Sequence, residues 1–209
     1  MFNSIDKTQG SLKQRYLDRL SNVIDNALTE YPRTMAVRVD FHLPECRDIG
    51  DSIAHEAYLH TGVMKRFIES LDARINAHLE RKRRNDIRVR PCNLRYAWVR
   101  EFCEDGKPHY HVVLFVNKDA FMSLGSYEEN GTGLASLIQN AWLSALRISD
   151  FNEYRTLVHF PENPRYFLNI NASNFRQVYD ELSFRLSYFA KERTKSYSRE
   201  IRSFGCSQH

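Results

Sequence analysis

At 209 residues, with 42% hydrophobic and 27% charged side chains, the chain has the length and composition of one well-buried globular domain. Its net charge of +4 is too small to indicate a nucleic-acid partner by itself, and no apolar run approaches the roughly 18 residues that a membrane span requires. The four cysteines are scattered and residues 1–4 do not resemble a secretory leader, so we expect no disulfide framework, no zinc ribbon and a cytoplasmic location.

The N-terminal part of the chain predicts a helix followed by a strand. Apolar residues recur at helical spacing over residues 11–30, and Pro32 closes that segment. Residues 34–43 alternate apolar with polar side chains, which predicts a strand. We therefore expect residues 1–33 to form an N-terminal helix that packs on a domain spanning residues 34–209.

A long helix is predicted over residues 54–84, and its basic end continues to residue 90. Cations at a helix C-terminus are favoured by the helix dipole even without a ligand. This basic run therefore fits a solvated helix end as well as it fits a nucleic-acid contact.

A β-hairpin is predicted next, because residues 96–103 and 108–116 are rich in aromatic and β-branched side chains and residues 104–107 carry an Asp-Gly turn signal. Side chains alternate along a strand, so His109 and His111 point to one face and can share a metal ion. Glu101 precedes His109 by eight positions and is the third candidate ligand. A polar strand edge is the alternative interpretation of the two histidines.

The hairpin register decides whether Glu101 joins the histidines. A two-residue loop would place Glu101 opposite Tyr110, on the wrong face, whereas a three-residue loop with a bulge would place it opposite His111. We expect the bulge. Two imidazoles and one carboxylate suit Mg, Mn or Zn and leave coordination positions open.

The remaining elements are a short helix over residues 119–125, a helix over residues 134–146, short strands over residues 157–160 and 166–170, and a last helix that runs to about residue 195. Ser173 or Asn174 can cap that last helix. The element order predicts an α+β fold, a single domain with one central antiparallel sheet of about five strands flanked by helices.

Tyr188 lies on the last predicted helix, about 120° from the centre of its apolar stripe. Lys191 and Lys195 fall within about 60° of Tyr188 on the same helix. The tyrosine therefore shares a face with two cations, although a tyrosine that borders a core is usually a packing residue.

Several segments resemble a known superfamily. Pro-His-Tyr-His at residues 108–111, followed by four apolar residues and preceded by Glu101, resembles the metal motif of HUH endonucleases, the nickases that initiate rolling-circle replication. Tyr-Phe-Ala-Lys at residues 188–191 resembles the Tyr-x-x-Lys motif of that superfamily. Residues 185–191, 194–197 and 204–207 resemble the replication-initiator-like proteins of filamentous phages and prophages, and the similarity spans roughly residue 34 to the C-terminus.

The resemblance implies an HUH/Rep-like fold and a metal-dependent DNA endonuclease. Glu101, His109 and His111 would hold a divalent ion, Mg or Mn before others. Tyr188 would attack the scissile phosphate and form a 5′-phosphotyrosine, and Lys191 would stabilise the developing charge. The free 3′-hydroxyl would prime synthesis, and the step would reverse to rejoin strands, as required for rolling-circle replication of a phage, prophage or plasmid.

The implied partners are single-stranded DNA at a replication origin and, since the sequence holds no Walker-type glycine-rich loop, a host helicase and polymerase. In the superfamily the first strand lies beside the histidine strand, which brings His42 near the site, although a surface histidine is favoured. Tyr96 and Trp98 are candidate stacking residues, with sheet core favoured for Trp98. The other candidate DNA-binding residues are Arg83, Arg84, Arg88, Lys107, Arg185, Lys195 and, as a further exposed stacking residue, Tyr110.

Two other functions stay open at this point. One is a non-catalytic DNA-binding regulator that keeps the HUH fold and has lost the chemistry. The other is a zinc hydrolase in which Glu101 acts as a base, a function that gives Tyr188 no role.

Overall fold

The computed structural model describes residues 4–6, 8, 10–44, 62–102, 108–128, 131–192 and 202–208. Its helices are α1 (Gln14–Glu30), α2 (Val63–Arg84), α3 (Leu134–Leu146) and α4 (Phe175–Ser187), with short 3-10 helices at Asn152–Leu157 and Tyr188–Ala190. Its strands are β1 (Arg33–His42), β2 (Arg95–Phe102), β3 (Pro108–Asn117), β4 (Val158–His159), β5 (Arg165–Asn169) and β6 (Phe204–Cys206).

Within the described ranges the strands form one six-stranded antiparallel sheet in the order β4-β1-β3-β2-β6, and β5 also pairs with β1. The α+β class with a central antiparallel sheet flanked by helices is confirmed, with six strands where about five were expected. The strand that sequence patterning missed is β6, which is too short to show a two-residue period. Each helix in these ranges is either too short or too polar to cross a membrane.

The chain divides into two compact units, and the first comprises Met1–Asp40, Leu94–Lys118 and Phe160–His209. In this unit α1 and α4 contribute to one core on a single face of the sheet, because the odd-numbered side chains of β2 and β3 and the even-numbered ones of β1 point there. Members of this core are Leu20, Ile24, Ala36, Val99, Val113, Leu182, Leu186 and Phe189.

The second unit comprises Phe41–Asn93 and Asp119–His159. Its centre is aromatic: the ring of Phe41 stacks on Trp142 at 4.4 Å and meets Phe67 edge-on at 4.6 Å. The indole Nε1 of Trp142 donates to the carbonyl of His42 at 3.0 Å. Buried Arg155 donates to several oxygens of this unit, among them those of Ser136 and Asn140, at 3.0 and 2.6 Å.

Two predicted helical segments differ from the structure. Residues 119–125 form turns, because Gly125 has a φ of +74° and its backbone lies so close to Gly133 that an added Cβ would be 2.7 Å from the Cα of that residue. The last helix ends at Ser187 and tightens into a 3-10 turn, well before residue 195. It stops there because the following backbone pairs with the segment that precedes α1: the amide of Lys13 donates to the carbonyl of Ala190 at 2.8 Å.

The predicted boundary at residues 33 and 34 stays a prediction. The Asp-Gly turn at residues 104–107 and the first part of the long helix predicted from residue 54 lie outside the described residues.

A candidate metal and tyrosine site

The hairpin of β2 and β3 places three candidate metal ligands on one face of the sheet. Glu101 lies directly opposite His109, and His111 lies opposite Val99. The shared face is therefore as predicted, but the expected pairing of Glu101 with His111 is wrong. The described ladder runs without a break to the pair Phe102 and Pro108, and the turn on which the predicted bulge falls lies outside the described residues.

The donor atoms of these three side chains converge. Nε2 of His109 lies 3.2 Å from Nε2 of His111, and Nε2 of His111 lies 3.5 Å from Oε2 of Glu101. One donor atom from each residue falls within 4.8 Å of the other two. Ligand atoms that bind one ion at about 2.1 Å are separated by about 3.0–3.5 Å, so the spacing fits a shared divalent ion.

The carboxylate of Glu101 is 1% exposed and is the centre of the site. Its Oε2 receives every contact that the structure gives this side chain, whereas Oε1 is buried and has no hydrogen-bond partner among the described residues. A buried carboxylate oxygen without a partner is unfavourable by about 1–3 kcal/mol or more. A bound cation would satisfy it, so the residues present fit a metal.

The protonation state of Glu101 also suits a ligand. Burial by itself raises the pKa of this carboxyl, but the hydrogen bond from His111 and the charges of His111 and Lys191 outweigh it and hold the pKa at about 2. Glu101 is therefore an anion at neutral pH. This state requires no further loss of a proton when a metal binds.

Asp40 holds His111 from the opposite side of the ring. Its Oδ1 lies 2.7 Å from Nδ1 of His111, which leaves Nε2 directed at Glu101. Burial lowers the pKa of His111, but the hydrogen bonds to Asp40 and Glu101 raise it by more. A carboxylate that accepts a hydrogen bond from the outer nitrogen is the usual partner of a metal-binding histidine, because it fixes the tautomer and the ring orientation.

Arg38 extends this arrangement. Its Nη2 donates to Oδ1 of Asp40 at 2.8 Å, its guanidinium lies 5.0 Å from the ring centre of Phe189, and its Nε is buried without a hydrogen-bond partner among the described residues. Burial lowers the pKa of Arg38, and the charge of Arg185 lowers it further while Asp40 raises it. Sequence reasoning did not single out Arg38, and it named Asp40 only as a substitute metal ligand should Glu101 fail, not as the partner of His111. The available signal was that Arg38 and Asp40 stand at alternate positions of the predicted strand and so share one face.

Tyr188 and Lys191 meet at the same carboxylate. The hydroxyl of Tyr188 donates to Oε2 of Glu101 at 3.4 Å, and its ring lies edge-on to His111 at 5.3 Å. The ammonium of Lys191 donates a hydrogen bond to that hydroxyl and lies 3.1 Å from the same Oε2. The predicted proximity of tyrosine and lysine therefore holds, but not through a continuous helix, because Lys191 follows the 3-10 turn in extended backbone with ψ of 142°.

The strand beside the histidine strand is β1, as the resemblance implied, and His42 at its end is exposed. Of the candidate DNA-binding residues, Arg185 lies near the site: it is half-buried and its charge acts on Arg38.

Tyr110 is 2% exposed, so the expectation that it offers an exposed stacking surface is wrong. Alternation along β3 turns it away from the histidines. Tyr96 and Trp98 are half-buried. Arg83, Arg84 and Arg88 are exposed in the second unit, and Lys107 and Lys195 lie outside the described residues.

Comparison with known proteins assigns the chain to a family. The YagK/YfjJ C-terminal domain family matches residues 1–207. The chain belongs to this family. It is 41% identical to the uncharacterized protein YagK of Escherichia coli strain K12 over 201 residues, which cover 96% of each protein. It is 38% identical to the uncharacterized protein YfjJ of the same strain over 205 residues, 97% of this chain and 98% of YfjJ. No solved structure matches the chain.

The first prediction concerns the three proposed metal ligands. Saturating Mn²⁺ should raise the melting temperature of the wild-type protein, by an amount equivalent to about 2.7 kcal/mol at a hundredfold excess over Kd. Glu101→Gln, His109→Ala and His111→Ala should each remove that increase, because each deletes one of three donors. The matched control is His159→Ala, which removes an exposed histidine and should keep the full increase. An unchanged melting temperature of the wild type with both Mn²⁺ and Mg²⁺ would exclude a metal site here.

Asp40 gives the second prediction. Asp40→Asn keeps the shape of the side chain and removes its charge, so His111 loses the partner that orients it and raises its basicity. We expect the Kd for Mn²⁺, measured by calorimetry, to increase about 10- to 100-fold. The control is Asp18→Asn on the exposed side of α1. Equal affinities for the wild type and Asp40→Asn would mean that Asp40 is only a structural partner of Arg38.

Proposed function

We propose that the protein is a metal-dependent, site-specific nickase and ligase for single-stranded DNA, an HUH-type endonuclease that forms a 5′-phosphotyrosine at Tyr188. One observation carries the proposal: a tyrosine hydroxyl, a lysine ammonium and a histidine imidazole converge on one buried carboxylate oxygen of Glu101, with a second imidazole in contact with the first. A structural core has no need of a phenol and three basic groups around one carboxylate.

Tyr188 is the nucleophile in this proposal. A neutral phenol attacks phosphate poorly, so the nucleophile requires a group that stabilises its anion. The ammonium of Lys191 is hydrogen-bonded to the hydroxyl oxygen and lies 3.5 Å from the ring centre, which places a positive charge where the phenolate forms. A divalent ion held by Glu101, His109 and His111 would supply positive charge to a non-bridging oxygen of the scissile phosphate.

The reaction exchanges one phosphodiester for another. The bond that forms joins the phenol oxygen of Tyr188 to phosphorus, and the bond that breaks joins phosphorus to the 3′-oxygen of the preceding nucleotide. The phenol loses its proton and the leaving 3′-oxygen gains one, so charge and protons balance. Since little bond energy is lost, the 3′-hydroxyl can attack the phosphotyrosine and rejoin the strand.

This chemistry defines the proposed partners and place of action. The substrate is single-stranded DNA at the replication origin of a phage, prophage or plasmid, and the free 3′-hydroxyl primes rolling-circle synthesis. A host helicase and polymerase supply unwinding and extension in the cytoplasm. Arg185, close to Arg38 and half-buried, is the candidate contact to the DNA backbone nearest the site.

A second candidate is a DNA-binding regulator that keeps this fold without catalysis. One observation favours it: the ammonium of Lys191 lies 3.1 Å from the carboxylate oxygen that a metal would require. Lys191, Arg38 and His111 already pair with the carboxylates of Glu101 and Asp40. A site whose carboxylates are paired by its own side chains can persist without a metal.

The third prediction separates the two candidates. A pool of single-stranded oligonucleotides with a randomised centre and a 3′-end label, incubated with Mn²⁺, should yield a labelled covalent adduct on a denaturing gel. Tyr188→Phe should abolish this adduct because it removes the nucleophilic oxygen. The control is Tyr197→Phe, which changes the tyrosine nine residues further along the chain and should retain the adduct. Peptide mapping of the adduct should place the DNA on Tyr188. DNA on Tyr197 would overturn the assignment, and retention on native gels without any adduct would favour the regulator.

The fourth prediction concerns Lys191. Lys191→Ala should slow adduct formation about 10- to 1000-fold under single-turnover conditions, because the phenolate loses its closest positive charge. Mn²⁺ binding should persist, since the three ligands remain and a competing cation is gone. Lys65→Ala, at an exposed position on α2, is the control and should keep the wild-type rate. A wild-type rate for Lys191→Ala would show that the ammonium serves only to balance Glu101.

A further inference from the structure

A cleft of about 400 Å³ lies between α1 and β6, in the first unit and apart from the ligands described above. Its lining combines cationic and aromatic side chains. The side chains that carry its chemistry are Arg15, Tyr16, Arg19, Arg202, Phe204 and Cys206.

The described side chains that line this cleft carry positive charge only. Three arginines line it and no acidic residue does. In the part of the chain that the structure describes, none of Arg15, Arg19 and Arg202 forms an ion pair with a carboxylate. Arg19 bonds to the sulfur of Cys206, and burial raises the pKa of that thiol despite the nearby guanidinium, so the sulfur supplies no counter-charge at neutral pH.

The cations at the start of α1 are unfavourable for helix stability. The helix α1 begins at Gln14, has no acidic residue in its first turn, and carries Lys13 and Arg15 at the end where the helix dipole is positive. Cations there are unfavourable, whereas an anion is favoured. An anionic ligand in the cleft would offset these cations and would itself interact favourably with the helix dipole.

The aromatic side chains of the cleft suit a nucleobase. The ring of Tyr16 stacks on Phe204 with ring centres 4.4 Å apart and 18° between their planes, and Tyr16 is half-buried. Gly205 beside it has no room for a side chain, because an added Cβ would lie 2.5 Å from the indole of Trp98. The cleft's volume is near the lower end of the range for ligand pockets, about 300–1000 Å³, which fits a nucleotide-sized group.

The cleft continues along the strand that carries Glu101. Val99 of β2 pairs with Phe204, and the amide of Arg100 donates to the carbonyl of Ser203 at 2.9 Å. Arg202, which lines the cleft, and Glu101 are each adjacent in sequence to one residue of this hydrogen-bonded pair.

We propose that this cleft binds the phosphodiester backbone of single-stranded DNA next to the site of cleavage, with the three arginines on phosphates and Tyr16 against a base. The choice of single-stranded DNA rests on the proposed function. The cleft fixes the part of the strand that flanks the scissile phosphate, and therefore sets where along the DNA the phosphate reaches Tyr188.

The test uses the full chain with Tyr188→Phe, so that DNA binds without reacting. The combined variant Arg15→Ala, Arg19→Ala and Arg202→Ala is compared with a control of equal charge loss, Lys65→Ala, Arg74→Ala and Arg176→Ala. The control cations lie outside the cleft and have partners within their own helices. Binding of fluorescein-labelled oligothymidine is followed by anisotropy over a range of salt concentrations. Melting curves verify that each variant is folded.

The cleft variant should bind about 10- to 100-fold more weakly than its parent, and the slope of log K against log salt should decrease by about 2, as expected for three lost phosphate contacts. The single change Arg15→Glu, at an exposed position, should weaken binding in the same direction. Unlabelled oligothymidine should displace the probe, whereas duplex DNA or inorganic phosphate at equal phosphate concentration should not. Equal effects of the cleft and control variants, or displacement by inorganic phosphate alone, would overturn the proposal.

The same variants, tested with Tyr188 intact, keep the two proposals distinguishable. If the wild-type protein forms the covalent adduct and the cleft variant still binds DNA normally, the cleft proposal fails and the nickase stands. If the cleft variant loses DNA binding and the wild type forms no adduct, the cleft stands as a DNA-binding site and the nickase fails.

Discussion

Glu101 is a carboxylate buried to 1% exposure at the end of a strand, and the arrangement of the first unit follows from that constraint. An unpaired buried charge is unfavourable by several kcal/mol, so the fold must bring positive or hydrogen-bond-donating groups to it. The neighbouring strand supplies His111, and the 3-10 turn and the extended residue after it supply Tyr188 and Lys191. Tyr188 and Lys191 lie more than 80 residues from Glu101 in sequence, so only folding brings them to its carboxylate.

The part of this site that sequence could predict is the part that depends on local geometry. Alternation along a strand places His109 and His111 on one face whatever the rest of the chain does, and Glu101 joined them because its register has the same parity. The exact pairing was not predictable, since it depends on the conformation of a hairpin connection. The main helices, the other strands and the α+β class followed from periodicity. The strand β6 did not, because it is too short to show a two-residue period.

The rest of the site depends on contacts distant in sequence. The last helix ends early because its following residues pair with the segment before α1, as the isolated bridge between Leu12 and Lys191 shows. Helical periodicity therefore predicted correctly that Lys191 lies beside Tyr188, although the backbone between them is not a continuous helix. Asp40 lies 71 residues before His111, and only the pairing of their strands makes it the partner of that ring. Strand order is set by tertiary packing, which no single segment reveals.

The charges of the site are consistent with the phosphoryl transfer that we propose. Without a metal, protonated His111, Arg38 and Lys191 exceed the two carboxylates by one positive charge. A divalent ion that displaces the proton of His111 would increase this excess by one. A phosphodiester in the site then offsets one charge and a phenolate at Tyr188 another. The same cluster that is nearly balanced at rest is therefore best balanced when phosphate and phenolate are present together, which is the condition that a phosphoryl transfer to tyrosine requires.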